Sequence, residues 1–354
     1  MTIRVFLVED SPIALNILKQ LLQSASDIQV VGVATNGKEA LIAIPSCQPD
    51  VVCTDLYMKE IDGLELTRQL MARYPCPVLV ISVAAAEGQT AFELLQAGAI
   101  DVFPKPSSGL LADYDRAQLL SKIRVLAGVK VFTRPLRPAP SSTSVAAPHL
   151  PKKHSSSNLA IVGIGASTGG PQAIAKVLQS LPATFPLPIV CTQHISSGFL
   201  GGLIGWLSQE TKLRVTVATA GETPQPGAVY FAPDHLNLEI DRRGKFCLIP
   251  AAAHERYCPS VNAMFRSLAA YYGNAVVGVL LTGMGDDGAA GMQAIAKVGG
   301  ITIAQDEATS VIFGMPKEAI ALGSVQHVLP IDRIGTFLQA LVNPKLAQEV
   351  RINP

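Results

Sequence analysis

The chain has 354 residues, of which 49% are hydrophobic and 16% charged, with a formal net charge of +1. That length exceeds what one hydrophobic core usually serves. The composition excludes a disordered or fibrous chain, and the near-neutral charge gives no sign of a nucleic-acid or membrane-surface partner.

The six cysteines are scattered and form no C-x-x-C pair, so they read as reduced thiols rather than a zinc site or disulfide framework. The opening MTIRVFLVEDSP reaches acidic residues after one short apolar run, unlike a signal peptide. No apolar segment is long enough to span a bilayer. A soluble, cytoplasmic protein is the expectation.

Taken in chain order, RVFLVE, QVVGVA, VVCTDL, PVLVIS and DVFP read as five short buried strands. Between them, SPIALNILKQLLQS and GKEALIAI carry helix-spaced apolar residues. This alternation over residues 1–127 predicts a doubly wound parallel sheet. Residues 128–158, rich in Pro, Ser, Ala and Lys, hold no lasting apolar period and read as a flexible linker. The alternation resumes over residues 159–345 with LAIVGIG, LPIVCTQ, RVTVAT, AVYFAP, AVVGVLLTG, ITIAQ and SVQHVLP, and HLNLEIDRRGKFCLIP adds a hairpin. A second α/β domain is therefore expected, followed by a short tail, 346–354.

In a parallel sheet, functional groups collect beyond the carboxyl ends of the strands. In the first domain those ends carry Glu9, Asp10, Asp55, Ser82 and Lys105. Three carboxylates brought together repel one another unless a divalent cation lies among them, and hard oxygen ligands suit Mg²⁺. Lys105 offers a point charge for a phosphoryl oxygen and Ser82 a hydroxyl. This set resembles the receiver domain of two-component response regulators. The resemblance implies that Asp55 accepts the phosphoryl group, that Glu9, Asp10 and Asp55 hold Mg²⁺, and that Ser82, Phe103 and Lys105 read the change.

In the second domain GASTG fits G-x-S-x-G, a strand-to-helix turn that thrusts Ser167 outward. A dinucleotide loop fits less well. The glycines at 163, 165 and 169 miss the G-x-G-x-x-G spacing by one residue, and no acid occurs between Ser167 and Glu210 to bind a ribose. A serine nucleophile needs a base, and the base an orienting acid. His194 ends one strand and Asp287, beside Asp286, follows another. Ser167 with an aspartate and His327 would keep the acid-before-histidine order of α/β-hydrolases, but His327 lies mid-strand in SVQHVL. Strand-end placement favours His194.

The stretches IGASTGGP, TQHISSGF, GAVYFAP, PSVNAMFRSLA, LTGMGDDGAAGM and FGMPKEAI closely resemble the catalytic domain of the chemotaxis protein-glutamate methylesterases, the CheB family. Carried across by position, the resemblance makes Ser167 the nucleophile, His194 the base and Asp287 the orienting acid, with Thr168 and Met284 in the oxyanion surroundings. It departs from the family pattern at Asp286, where Asn is common, and in HERYCPSVN. The resemblance also implies hydrolysis of glutamyl methyl esters on chemoreceptors and deamidation of receptor glutamines. Its regulatory implication is that the receiver covers the active-site edge until a chemotaxis histidine kinase phosphorylates Asp55. The esterase chemistry itself needs no cofactor.

Overall fold

A computed structural model describes residues 2–82, 92–105, 113–131, 159–251 and 256–343, with only the backbone of 113–115. Most of the expected linker and the expected C-terminal tail lie outside the described residues. The described residues form two separate parallel sheets and a small hairpin.

The first sheet contains β1 (Ile3–Val8), β2 (Ile28–Ala34), β3 (Val51–Thr54), β4 (Val78–Ser82) and β5 (Asp101–Pro104), the five strands expected from the apolar runs. All pairings are parallel, and the spatial order is β2-β1-β3-β4-β5. Val5, Phe6, Val51 and Val52 are fully buried, because a parallel sheet is covered on both faces. Ser11 caps the first helix, Pro12–Gln23, by accepting from the Ala14 N–H, and Pro12 opens that helix without losing a needed donor. The strand order reverses between β1 and β3. A crevice therefore opens at their carboxyl ends, where Glu9, Asp10 and Asp55 follow.

The second sheet contains β6 (Ile161–Ala166), β7 (Ile189–Gln193), β8 (Arg214–Val217) and β9 (Ala228–Phe231), then β12 (Val276–Leu280), β13 (Ile301–Gln305) and β14 (His327–Leu329). Its seven strands are all parallel, in the order β14-β13-β12-β6-β7-β9-β8. Between β9 and β12, β10 (Leu236–Ile240) and β11 (Phe246–Pro250) pair antiparallel as the expected hairpin. The chain builds outward from β6 on one side and then returns to add β12 on the other. That reversal puts the crevice of this domain beside β6.

The helix Val261–Tyr272 buries Val261, Met264, Phe265 and Leu268, one face at helical spacing. It packs unusually close to β6. A Cβ on Gly163 would meet Leu268 Cδ1 at 2.7 Å, and one on Gly165 would meet Val261 Cγ1 at 2.2 Å. Two of the glycines around the serine thus admit a helix rather than a ligand.

Candidate active site and receiver acid cluster

At the carboxyl edge of the second sheet, Ala166 pairs with Gln193 in the β6–β7 register, and the His194 N–H donates to the Ala166 carbonyl at 3.0 Å. Ser167 and His194 therefore leave adjacent strands at the same level. Ser167 is fixed by its own N–H, which donates to the Thr282 carbonyl at 3.0 Å, and by its carbonyl, which accepts from the Gly170 N–H at 2.8 Å. The turn closes through Gly169 at φ +76°, a left-handed conformation that glycine adopts without strain. The helix Gly170–Gln179 then begins, with Pro171 in its first turn.

Asp287 lies beyond β12 and is 1% exposed. Its Oδ2 stands 2.9 Å from His194 Nε2 and accepts from the Val261 N–H at 2.7 Å. Its Oδ1 accepts from the Asn262 N–H at 2.9 Å and the Ser260 hydroxyl at 3.1 Å. The carboxylate is thus seated on the N-terminus of the helix Val261–Tyr272, where free N–H groups and the helix dipole favour negative charge. Burial acts to raise its pKa, but the His194 hydrogen bond and charge, with the Asn262 and Val261 N–H groups, outweigh it. The Asp287 carboxyl sits below its ordinary value of 3.8.

Because Nε2 is taken by Asp287, Nδ1 is the imidazole nitrogen left for other chemistry. The Tyr257 ring stacks on His194, with centroids 5.0 Å apart and planes within 1°. Arg256 lies 5.3 Å from the Tyr257 centroid. A cavity of about 320 Å³ adjoins the site, lined by Arg256, Tyr257, Arg266, Asp286 and Asp287 among others. Tyr257 belongs to the HERYCPSVN stretch, and nothing in its spacing announced a contact with His194.

Thr168 is buried, and Met284 is half-buried in the turn after β12. Asp286 is exposed, in contrast to Asp287. Among the described residues, the backbone N–H groups of Thr168 and Gly169 donate no hydrogen bond. His327 is the first residue of β14, not mid-strand, and its ring packs on Phe337 with centroids 4.7 Å apart. It sits three strands from β6, in line with Ile164. At the usual strand spacing that is about 14 Å to the side.

In the first domain, Glu9, Asp10 and Asp55 each bring one carboxylate oxygen within 4.8 Å of the others. Lys105 Nζ lies 2.8 Å from both Glu9 Oε1 and Asp55 Oδ2. Asp55 Oδ1 accepts from the Leu56 N–H at 2.8 Å. Burial, opposed by Lys105 and reinforced by Asp55, raises the Glu9 pKa above 4.5. Burial acts to lower the Lys105 pKa, but its bonds to Asp55 and Glu9 prevail and raise it. Glu9 Oε2 is buried with no hydrogen-bond partner among the described residues. One ammonium cannot balance three carboxylates, so the donor set and the orphaned oxygen fit a small hard cation. Ser82 and Phe103 are fully buried at the adjoining strand ends, and the Lys105 N–H donates to the Ser82 carbonyl at 2.7 Å.

These features define a two-domain α/β protein with a receiver-type first sheet and a Ser–His–Asp-bearing second sheet. Residues 5–112 match the response regulator receiver domain, and residues 162–338 match the family described as CheB methylesterase. The chain is 40% identical over 342 residues to the protein-glutamate methylesterase/protein-glutamine glutaminase 3 of Hahella chejuensis, covering 95% of this chain and 98% of the relative. It is 39% identical over 348 residues to protein 1 of the same description from Syntrophus aciditrophicus, covering 96% and 98%. Among solved structures, the Thermotoga maritima CheB methylesterase catalytic domain is 39% identical. It covers 52% of this chain and 99% of that chain, with a TM-score of 0.49. The chain belongs to the CheB methylesterase family.

None of the six cysteines is joined in a disulfide. No helix of the described residues is long and apolar enough to cross a membrane.

Proposed function

We propose that the chain is a phosphorylation-controlled protein-glutamate methylesterase that also deamidates glutamines, acting on chemoreceptors through Ser167, His194 and Asp287. The reading divides the chain into a receiver (1–127), a linker (128–158), a catalytic domain (159–345) and a tail (346–354). The observation that carries it is the 2.9 Å pairing of His194 with Asp287, on the strand adjacent to and in register with the one that delivers Ser167. The names of the relatives supply the substrate chemistry.

In the reaction, Ser167 Oγ attacks the ester carbonyl and His194 Nδ1 takes the hydroxyl proton. The oxyanion lies toward the N–H groups of Thr168 and Gly169, at the N-terminus of the helix Gly170–Gln179. His194 passes its proton to the departing methoxy oxygen, releasing methanol, and the acyl-enzyme remains. A water, deprotonated by His194, attacks the acyl carbon; the Oγ–acyl bond breaks as His194 returns that proton to Ser167 Oγ, and the glutamate carboxylate is released. With glutamine, ammonia leaves in place of methanol. Asp287 holds the imidazole in its tautomer and stabilises the imidazolium; it does not itself take the proton. Met284, assigned to the same surroundings, follows Gly283, whose added Cβ would lie 2.8 Å from Ser167 Cβ.

Control enters through the receiver. Glu9, Asp10 and Asp55 would hold Mg²⁺, which neutralises charge as a phosphoryl group approaches Asp55 from a histidine kinase. Lys105, whose Nζ lies 2.8 Å from Asp55 Oδ2, would meet the transferred phosphoryl oxygens together with the Ser82 hydroxyl. The phosphoryl group adds about −1.5 to −2 charges at Asp55, the change that Ser82 and Phe103 are assigned to read.

Methanol release from methylated chemoreceptor membranes tests the reading, with wild type and Ser167→Ala each assayed with and without a small phosphodonor and Mg²⁺. Release by wild type alone, raised by the phosphodonor, is expected. Equal release by Ser167→Ala overturns the nucleophile assignment, and no release by folded wild type overturns the substrate.

A further inference from the structure

We propose that Gln193 is a positioning residue that clamps the nucleophile and the base to one another. The inference rests on the reading of Ser167 and His194 as the catalytic pair. The last backbone rung between β6 and β7 is the His194 N–H to the Ala166 carbonyl. Beyond it the two strands part, because Ser167 turns into its helix. There the Gln193 side-chain amide takes over. Its Nε2 donates to the Ser167 carbonyl and to the His194 carbonyl, each at 2.8 Å. One NH₂ group thus uses both its protons to tie the two residues together from behind, where neither catalytic side chain is consumed.

The way this amide is housed supports a fixed role. Gln193 is 4% exposed, and its Oε1 is buried with no hydrogen-bond partner among the described residues. An orphaned buried acceptor is a cost that an apolar residue of the same shape would avoid. Rotating the amide to relieve it would turn the oxygen toward two carbonyl oxygens, so the orientation is locked. Room for Oε1 comes from Gly170, whose added Cβ would lie 2.0 Å from it. Gly170 therefore serves the clamp as well as the turn.

The test uses the full chain, activated by phosphodonor and Mg²⁺, on methylated chemoreceptor membranes. Gln193→Met keeps the length and removes both donors. Because angstrom-scale misplacement costs up to about a hundredfold, kcat should fall at least about tenfold, while KM stays within about twofold. Gly170→Ala leaves Gln193 in place but displaces its amide, and should lower kcat in the same selective way. If Gly170 acts through Gln193, the double variant is no slower than Gln193→Met; independent structural damage would multiply the two losses. Wild-type kcat in Gln193→Met, a loss confined to KM, or multiplying losses each overturn the proposal. Should Gln193→Met fail to fold, Gln193→Leu takes its place with the same expected and overturning results, because an added Cβ at Gly170 would also lie 2.8 Å from Ala166 Cβ. Ser167→Ala, run alongside, separates the outcomes: if it still hydrolyses, the catalytic pair itself is wrong and the clamp falls with it.

Discussion

His194 and Asp287 meet through Nε2 and Oδ2 at 2.9 Å, and the same carboxylate anchors the N-terminus of the helix Val261–Tyr272. The orienting acid is therefore also a helix cap. Its two roles cannot be separated by removing it, but they can be separated by what is measured.

Replacing Asp287 with Asn should lower kcat by about 10³–10⁴-fold, since an amide presents its NH₂ to His194 or to the helix and the tautomer is no longer enforced. Stability should fall as well, by about 1–3 kcal/mol, because donors from Ser260, Val261 and Asn262 lose a charged acceptor. Methanol release and thermal melting report the two losses separately.

The pH dependence of this contribution has a definite sign. Asp287 is depressed below 3.8, so its stabilisation is complete above that value and lost only as pH falls through the lower, folded pKa. Wild type should therefore lose this share of stability only below pH 3.8. Denaturant titrations from pH 6 to 3, with Asp287→Asn as reference, should show a constant difference down to that point.

Gly165→Ala is expected to cost about 1–3 kcal/mol by overpacking, since the new methyl would stand 2.2 Å from Val261 Cγ1. The displaced helix carries the N–H groups that hold Asp287, so kcat should fall even where the protein remains folded. A variant of wild-type activity and melting temperature would contradict the close-packing account of this glycine.

Removing the stacked ring with Tyr257→Leu should reduce activity several-fold, while Tyr257→Phe keeps most of it, because the face and not the hydroxyl lies on His194. Aromatic stacking of this kind contributes about 0.5–1.5 kcal/mol. Equal activity in the two variants would remove the stack from the mechanism.

For the receiver, Mg²⁺ should raise the melting temperature of the full chain at neutral pH, and Glu9→Gln should diminish that rise. Glu9 must lose its proton to bind a cation, and its pKa is raised above 4.5. The Mg²⁺-dependent shift should therefore shrink as pH falls toward that raised pKa, before ordinary carboxylates titrate. A shift that persists unchanged down to pH 4.5 would place the cation elsewhere.

Much of this protein was legible in its residues. The apolar runs marked the twelve parallel strands of the described residues and the hairpin, because a strand buried on both faces must be apolar throughout and must stop at polar or glycine-rich turns. The strand-end rule then singled out Glu9, Asp55, Lys105, Ser167, His194 and Asp287, since side chains there are free of the sheet and open to the crevice. What spacing could not decide was contact. That Asp287 engages Nε2 and leaves Nδ1, that Tyr257 lies on the imidazole, and that Gln193 bridges two carbonyls all depend on residues distant in sequence or on side-chain direction. Gly163 and Gly165 read as parts of a turn, yet their room is filled by a helix about a hundred residues later. Periodicity records which face of an element is buried; only the folded packing decides what it is buried against, and at this site those partners set the chemistry.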